Sequence, residues 1–449
     1  MPSCLIHPLA YRADPAEYFL QIHRAPGAVL LDAGRPAAER GRYDILSAWP
    51  EQQLQPADGE PAPAFFQRLR HALASLGPAQ IPAGLQLPFS GGLIGYLSYD
   101  FGRRLERLPR LACDDLALAD AGFGLYAWAL ISDHQLQTSQ LVFHPSLPVE
   151  RRGQLAALFD RPAAVPPSDF RLLGPFTANL PAEDYHRAFE RIRQYIDAGD
   201  CYQVNFTQRF QAPCSGDPLN AYLALRNACP TPFAAYLALP DAGAILSLSP
   251  ERFLQVSEGR VETRPIKGTR PRGICSNDDL RLAEELLHSS KDRAENLMIV
   301  DLLRNDLGRS CATGTVKTPE LFALESYPNV HHLVSSVTGQ LASGKDALDL
   351  LAGSFPGGSI TGAPKIRAMQ VIEELEPTRR SIYCGSILYL DVRGEMDSSI
   401  TIRSLLVKDG TVSCWGGGGI VADSEWLAEY RESITKVKVL LDTLENLRR

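Results

Sequence analysis

A chain of 449 residues is too long for one simple core, so two domains or one large elaborate α/β unit is expected. Hydrophobic residues at 45% and charged residues at 22% are ordinary for a globular protein, and a net charge of −7 excludes nucleic acid as the main partner, because phosphate binding needs a basic field. The 9 cysteines are scattered without a C-x-x-C pair, a pattern of reduced thiols in the cytoplasm rather than of a disulfide framework or structural zinc.

The opening "MPSCLIHPLAYRADP" lacks a basic start, and Pro8 and Arg12 interrupt any apolar run, so no targeting segment is expected. Short strand-like pieces and turns follow, such as "GAVLLDAG" and "GGLIGYLSYDFG". The most apolar window, "LALADAGFGLYAWALIS", is short and carries Asp120; it reads as buried strand, not as a membrane span. At 159–170, "FDRPAAVPPSDF" breaks the periodicity as a linker would, dividing an N-terminal region (1–165) from a second region (170–449), the two interleaved in one globule.

Beyond the linker the pattern sharpens. Pro181 opens a helix with Tyr185, Phe189, Ile192 and Ile196 on one face and Gly199 as its stop. "CYQVNFTQRF" alternates, with Tyr202, Val204 and Phe206 opposite Gln203, Asn205 and Thr207. Strand-like runs recur at "AILSLS", "RVETRPI", "GSILYLDV", "DSSITIRSLLV" and "TVSCWGG", separated by helical patterns over 279–306 and 424–447. The Asp409-Gly410 turn predicts a hairpin and mostly antiparallel sheet. The fold class is mixed α and β.

Several segments could carry chemistry. In "RVETRPIKGTRPRG" a Lys267-Gly268-Thr269 turn is crowded by Arg264, Arg270 and Arg272, and a cationic cluster asks for an anion. Glu251 follows a strand directly after Pro250; alone it reads as a surface residue. The helix "KDRAENLMIVDLLRNDLGRS" threads Glu295, Asp301, Arg304, Asn305 and Asp306 through apolar sequence, and buried charges need partners or a metal. An Asp–Arg network is the reading favoured for Asp301, Arg304 and Asp306. In the last helix Ser424 can cap the start, and Glu425, Glu429, Glu432 and Lys436 share one face, which by itself reads as a solvated, salt-bridged surface. Two carboxylates from separate helices suit Mg²⁺, which keeps waters and meets an anionic substrate. The glycines of "CWGGGGIVADS" read as an amide nest for an anion or as a flexible turn, and "FPGGSITGAPKIRAM" is a Gly-rich turn feeding a helix with Pro364 near its first turn. His331 and His332 lack a third ligand at metal spacing, which favours a structural role.

Together "SPERF", "PIKGT", "DLLRNDLGR", "HHLVSSVTG", "GSITGAPK", "IR" and "GGGGIVADS" in this order resemble the chorismate-utilising enzyme family over nearly the whole chain. The resemblance implies two large, mostly antiparallel sheets packed face to face with helices outside. It implies Mg²⁺ held by Glu295 and Glu432 with Glu429 beside them. The enolpyruvyl carboxylate would meet Arg403, Tyr383, Gly417 and Gly418, and Thr361, His332 and Lys436 would line the same pocket. Family members that add water to the ring carry a lysine base where this chain has Gln203. Anthranilate-forming members carry alanine where Lys267 stands, and lysine there marks the aminodeoxychorismate branch. In that branch the Lys267 amine attacks chorismate with Glu251 as general acid and then base. Such an amine must be neutral, well below the usual ~10.4, and burial with the nearby arginines is expected to lower it.

No cysteine or histidine fits a G-x-C-x-G elbow or its H-x-E, so ammonia is expected from a separate glutaminase subunit in a heterodimer, or free. The chain ends just past its last helix, so a fused lyase is not expected either. By the same resemblance "VLLDAGRPAAERGRYDILS" forms a tryptophan pocket, with Arg42 and Tyr43 on one wall, Pro232 and Phe233 opposite, and Ala33 replacing the usual serine. The rival readings are an anthranilate-forming enzyme, opposed by Lys267, and a non-catalytic regulator that binds chorismate or tryptophan.

Overall fold

The computed structural model describes residues 1–38, 41–161, 169–326 and 330–447; the linker expected at 159–170 falls largely on 162–168, outside the described residues. The fold is mixed α and β, and most of its strands lie in two large sheets. One, 13-stranded, runs from Leu5–Leu9 at one end through Tyr43–Ser47, Val29–Asp32, Phe233–Ala238, Ala244–Ser249, Ser404–Lys408 and Thr411–Ile420 to Gln203–Ser215. The other, 10-stranded, runs from Ile266–Pro271 through Val330–Gln340, Arg260–Thr263, Arg252–Ser257, Met396–Ile400 and Ser386–Asp391 to Gly92–Leu97, Ala121–Tyr126 and Gln52–Leu54. Strands from both sides of residue 165 therefore lie in each sheet. The ladders around the site are antiparallel, and one apolar core draws on both sheets, through Leu30, Leu46 and Leu246 from the first and Leu93, Phe253 and Ile387 from the second.

Local chemistry accounts for most of these elements. The apolar window at 116–132 becomes two strands, Ala121–Tyr126 and Trp128–Asp133, which continue into different sheets and so tie them together. No helix is long and apolar enough to cross a membrane, among the described residues. The Asp409-Gly410 hairpin forms, with both residues at positive φ (49° and 70°) and Lys408 opposite Thr411. Gln203–Ser215 is a strand, but its polar alternation does not face water: Gln203, Asn205, Thr207 and Arg209 are all buried, with Asn205 bonded to Ile360 O, Thr207 to Glu376 and Arg209 to Asp115, while helices pack on Val204 and Phe206 of the other face.

Three expectations need correction. The helical pattern over 279–306 is two helices, Ser276–His288 and Ser290–Gly308, because the Ser289 hydroxyl accepts from Asp292 N at 3.2 Å and starts a new helix. Ser424 does not cap the last helix, Trp426–Asn446; its hydroxyl instead donates to Glu429 Oε1 at 2.7 Å. Gly416 to Gly419 are neither a nest nor a loop but strand, opposite Gln208, Thr207, Phe206 and Asn205. What their bareness allows is close approach: a Cβ on Gly416 would lie 2.0 Å from Ser433 O of the last helix.

Candidate active site

Lys267 lies on the strand at one end of the second sheet. The register with Val330–Gln340 slips between Ile266 and Thr269, so Lys267 and Gly268 bulge off the ladder. Gly268 has φ 88°, and a Cβ there would sit 2.8 Å from Leu286 Cδ1, so both space and backbone demand glycine. Lys267 Nζ donates to Ser359 O at 3.0 Å and forms no ion pair among the described residues. Burial lowers its pKa and Lys436 adds to this, against Glu295, Glu251 and Glu432.

The arginines of the same segment do not supply that field, contrary to expectation. Arg264 is bound to Glu320 at 2.7 Å and Glu325 at 2.8 Å, Arg270 to Glu285 at 2.9 Å and Asp292 at 3.1 Å, and Arg272 to Asp279 at 2.7 Å. Each is neutralised by its own carboxylates, so each is a structural ion pair.

Glu251 sits at the corner between Ala244–Ser249 and Arg252–Ser257, where its carbonyl accepts from Ile400 N at 3.1 Å and its amide donates to Ser249 Oγ at 3.2 Å. It is buried, contrary to the surface reading. Burial pushes its carboxyl up, opposed by Lys267, the Ser359 hydroxyl, the Ile266 amide and Arg403. A raised carboxyl beside a lowered amine is the pattern of perturbed groups that marks a candidate reactive site.

Carboxylates from two helices complete the pocket. On Ser290–Gly308, burial raises Glu295, opposed by Lys267 and Lys291 and helped by Asp292 and Glu432. On the last helix, burial raises Glu429, which Glu432 reinforces, whereas at the half-exposed Glu432 the desolvation is outweighed by Lys436 at 2.7 Å together with Lys291 and Lys267, which leave it lowered. Lys436 Nζ also donates to Gly417 O at 3.0 Å. A Cβ on Gly418 would meet Glu429, Glu432 and Lys436 within 3.2–3.4 Å, so glycine keeps the space above these charges open. Among the described residues no three His, Cys, Asp or Glu side chains gather into a metal cluster.

His332 donates to or accepts from Thr269 Oγ1 at 2.8 Å; burial and then Arg403 hold its pKa down at about 4, so it is neutral near pH 7. His331 is structural, bonded to Ser326 and Asp279. Gln203 is wholly buried, with no partner for either amide atom among the described residues. The Thr361 hydroxyl is spent on Gly357 O at 3.0 Å. Tyr383 is buried and stacks on Trp415 at 6.1 Å; burial raises its pKa, with Cys384, Arg380, Glu376 and Cys414 as the charged and titratable groups acting on it. The Asp–Arg reading of the 290–308 helix is also corrected. Asp301 and Arg304 form an exposed pair at 3.1 Å, while buried Asp306 binds Lys365 at 2.7 Å. Sequence reasoning gave no site role to Ser359, Asn205, Lys291 or Lys365, although all four lie in quoted stretches, because no spacing rule points at a backbone carbonyl.

A separate cavity of about 760 Å³ opens between the sheets, with Arg42, Tyr43, Pro232 and Phe233 on one side and Arg252, Tyr389 and Asp397 on the other. Ala33 does not line it; it is buried against Gly41, its amide bonded to Asp44 Oδ1 at 2.7 Å.

Two antiparallel sheets enclosing a lysine, a glutamate and helix-borne carboxylates define a class, and residues 28–442 match the model of the chorismate binding enzymes. The chain belongs to that family. It is 45% identical over 450 residues to aminodeoxychorismate synthase component 1 of Escherichia coli (strain K12), covering 97% of this chain and 98% of that protein. It is 39% identical over 436 residues to anthranilate synthase component 1 of Mycolicibacterium smegmatis, covering 92% of this chain and 82% of that one. Among solved structures it is similar to anthranilate synthase component I from Streptococcus pneumoniae TIGR4, with TM-score 0.78, 30% identity and coverage of 89% and 92% of the two chains. The menaquinone-specific isochorismate synthase of Escherichia coli shares the fold at TM-score 0.75 and 17% identity, over 98% of this chain and 94% of that one.

Proposed function

We propose that the protein is an aminodeoxychorismate synthase component 1, an enzyme that converts chorismate and ammonia to 4-amino-4-deoxychorismate on the route to p-aminobenzoate and folate. The observation that carries this reading is Lys267, half-buried, under the influence of the buried Glu251, and tied among the described residues to a neutral carbonyl rather than a carboxylate. An alanine there, as in the anthranilate-forming members, could offer no nucleophile. The identity to component 1 relatives supports the same branch.

In the proposed chemistry the neutral Lys267 amine attacks ring carbon 2. The ring double bond shifts, and the 4-hydroxyl departs as water with the proton of Glu251. Ammonia then adds at carbon 4, the double bond returns, the lysine amine leaves, and the Glu251 carboxylate takes the proton of the new ammonium. Burial suits Glu251 to begin protonated.

Arg403, next to Glu251 and His332, together with Gly417, Gly418, Thr361, Gln203 and Lys436, is assigned to substrate binding; Tyr383 is assigned there by family resemblance alone. For Mg²⁺ the donors are Glu295 and Glu432, with Glu429 adjacent: hard oxygens from two helices, each within the other's field. So few protein ligands fit an ion that completes its shell with substrate and water. When bound it would orient the ring carboxylate and neutralise its charge.

The partner reading is a separate glutaminase subunit, component II, in a heterodimer in the cytoplasm. The inter-sheet cavity is assigned to tryptophan; Arg42 and Tyr43, supplied by residues 1–165, line the same side of it as Pro232 and Phe233 rather than facing them. Incubating the purified protein with chorismate, ammonium and Mg²⁺ tests the activity. Formation of 4-amino-4-deoxychorismate is expected; fluorescent anthranilate without an added lyase, or no chorismate consumption, overturns the reading. Calorimetric titration with tryptophan tests the cavity.

A further inference from the structure

The Lys267 amine faces an orientation problem. Glu251 and Glu295 both attract it, yet it is bonded to neither and donates to Ser359 O. A carbonyl acceptor fixes one N–H and leaves the nitrogen lone pair directed elsewhere, whereas a carboxylate would capture the amine as an ion pair. The position of Ser359 O therefore decides whether the amine is a reagent.

That carbonyl lies in a turn held from below by residues outside the pocket. The next carbonyl, Ile360 O, accepts from Asn205 Nδ2 at 2.9 Å and from Arg380 Nη1 at 2.9 Å. Asn205 N donates to Thr361 O at 2.8 Å, and Thr361 Oγ1 closes the turn on Gly357 O at 3.0 Å. Arg380 also donates to Asn205 O and pairs with Glu376 at 2.7 Å, while Glu376 Oε1 accepts from both Thr207 N and Thr207 Oγ1 at 2.9 Å. At the far end Lys365 Nζ bonds Asp306 and Ser354 O. A fully buried guanidinium costs several kcal/mol to desolvate. Here it holds two main-chain carbonyls and one carboxylate, which fixes geometry more than it adds stability.

We propose that Asn205 and Arg380 are positioning residues for the reaction, locking the 357–361 turn so that the Ser359 carbonyl holds the Lys267 amine clear of Glu251 and Glu295 and aimed at the substrate. This rests on Lys267 being the nucleophile. Neither residue touches the reacting atoms. Once the lock is loosened the amine swings to a carboxylate and loses reactivity, while the binding groups Arg403 and Lys436 stay in place.

The test is a brief acetic anhydride pulse on the full-length protein, with Lys267 acylation read by peptide mass spectrometry relative to exposed Lys317, alongside steady-state kinetics. In Asn205→Ala the Lys267-to-Lys317 ratio is expected to fall at least fivefold, and kcat at least tenfold, with KM for chorismate within twofold. Arg380→Lys, which keeps the charge but fewer donors, is expected to fall between this and wild type. Arg209→Ala is the matched control: buried on the same strand but bonded to Asp115, it makes no bond to the turn and should leave the ratio unchanged. If Asn205→Ala does not fold, Asn205→Ser carries the same readout. An unchanged labelling ratio, or an equal fall in Arg209→Ala, overturns the proposal. Because labelling needs no turnover, a wild type that makes no 4-amino-4-deoxychorismate would sink the functional reading and still leave this one decided.

Discussion

The pocket around Lys267 and the cavity between the sheets are both rich in charge, but they treat it in opposite ways. In the cavity the cations are matched: Arg42 with Asp133 at 2.9 Å, Arg252 with Asp397 at 2.9 Å, Arg264 with Glu325 at 2.8 Å and Arg393 with Asp391 at 2.6 Å. In the pocket Lys267 has a carbonyl in place of a counter-ion, and Glu251 is buried without an ion pair among the described residues. Paired charge makes a stable wall that can receive a neutral or zwitterionic guest. Unpaired buried charge is costly, and a protein keeps it where it does chemistry. The contrast between reagents and walls can be tested residue by residue.

The largest effect is expected at Lys267. Lys267→Ala should lower 4-amino-4-deoxychorismate formation by about 10³-fold or more, or divert the product to an anthranilate type, as followed by chromatography of the products. A wild-type rate and product would refute the covalent step. Glu251→Gln comes next: loss of a positioned acid–base group should cost about 10²–10⁴-fold in kcat with chorismate binding largely kept, measured by kcat and KM separately. A variant that lost binding alone would place Glu251 among the walls.

The sequence carried much of the fold and less of the site. Local signals such as the Asp409-Gly410 turn act over a few residues, and they formed as read. The order of strands within each sheet depends on pairing across hundreds of residues, as between Gln203–Ser215 and Thr411–Ile420, and no periodicity encodes that. Gly416–Gly419 misled because bare glycine fits a loop and a crowded strand equally; the Ser433 carbonyl of the last helix decides between them. The arginines around Lys267 misled for a related reason. Their partners Asp279, Glu285, Asp292, Glu320 and Glu325 lie 7 to 61 positions away, so proximity in sequence overstated their part in the lysine's field. Family motifs offered candidates for the pocket, but not the carbonyl that holds the Lys267 amine.

A smaller effect is expected at His332, through stability. Its folded pKa of about 4 lies below the ordinary ~6.5. The unfolded chain therefore takes up a proton that the folded protein refuses, and stability contributed above pH 6.5 is lost as pH falls towards 4. Between pH 7 and pH 5 the wild type should lose about 2 kcal/mol more than His332→Gln in denaturant titrations. Equal losses would mean that the imidazole is protonated in place and that Arg403 does not face it as described.

The smallest effect should fall on the arginines that crowd the lysine in sequence. If Arg272 formed part of the field on Lys267, Arg272→Gln would make the amine more basic and slow the reaction at neutral pH. In the structure Arg272 is bound to Asp279, which also accepts from Gly273 N at 2.8 Å and lies 3.0 Å from His331 Nε2. Its charge is cancelled locally, and the groups that act on Lys267 are Glu295, Glu251, Lys436 and Glu432. The expected kcat is therefore within about twofold of wild type, since a half-exposed ion pair contributes little. A tenfold fall in kcat with KM unchanged would return the arginine to the reagent side and erase the line drawn here between charge that reacts and charge that only holds a wall.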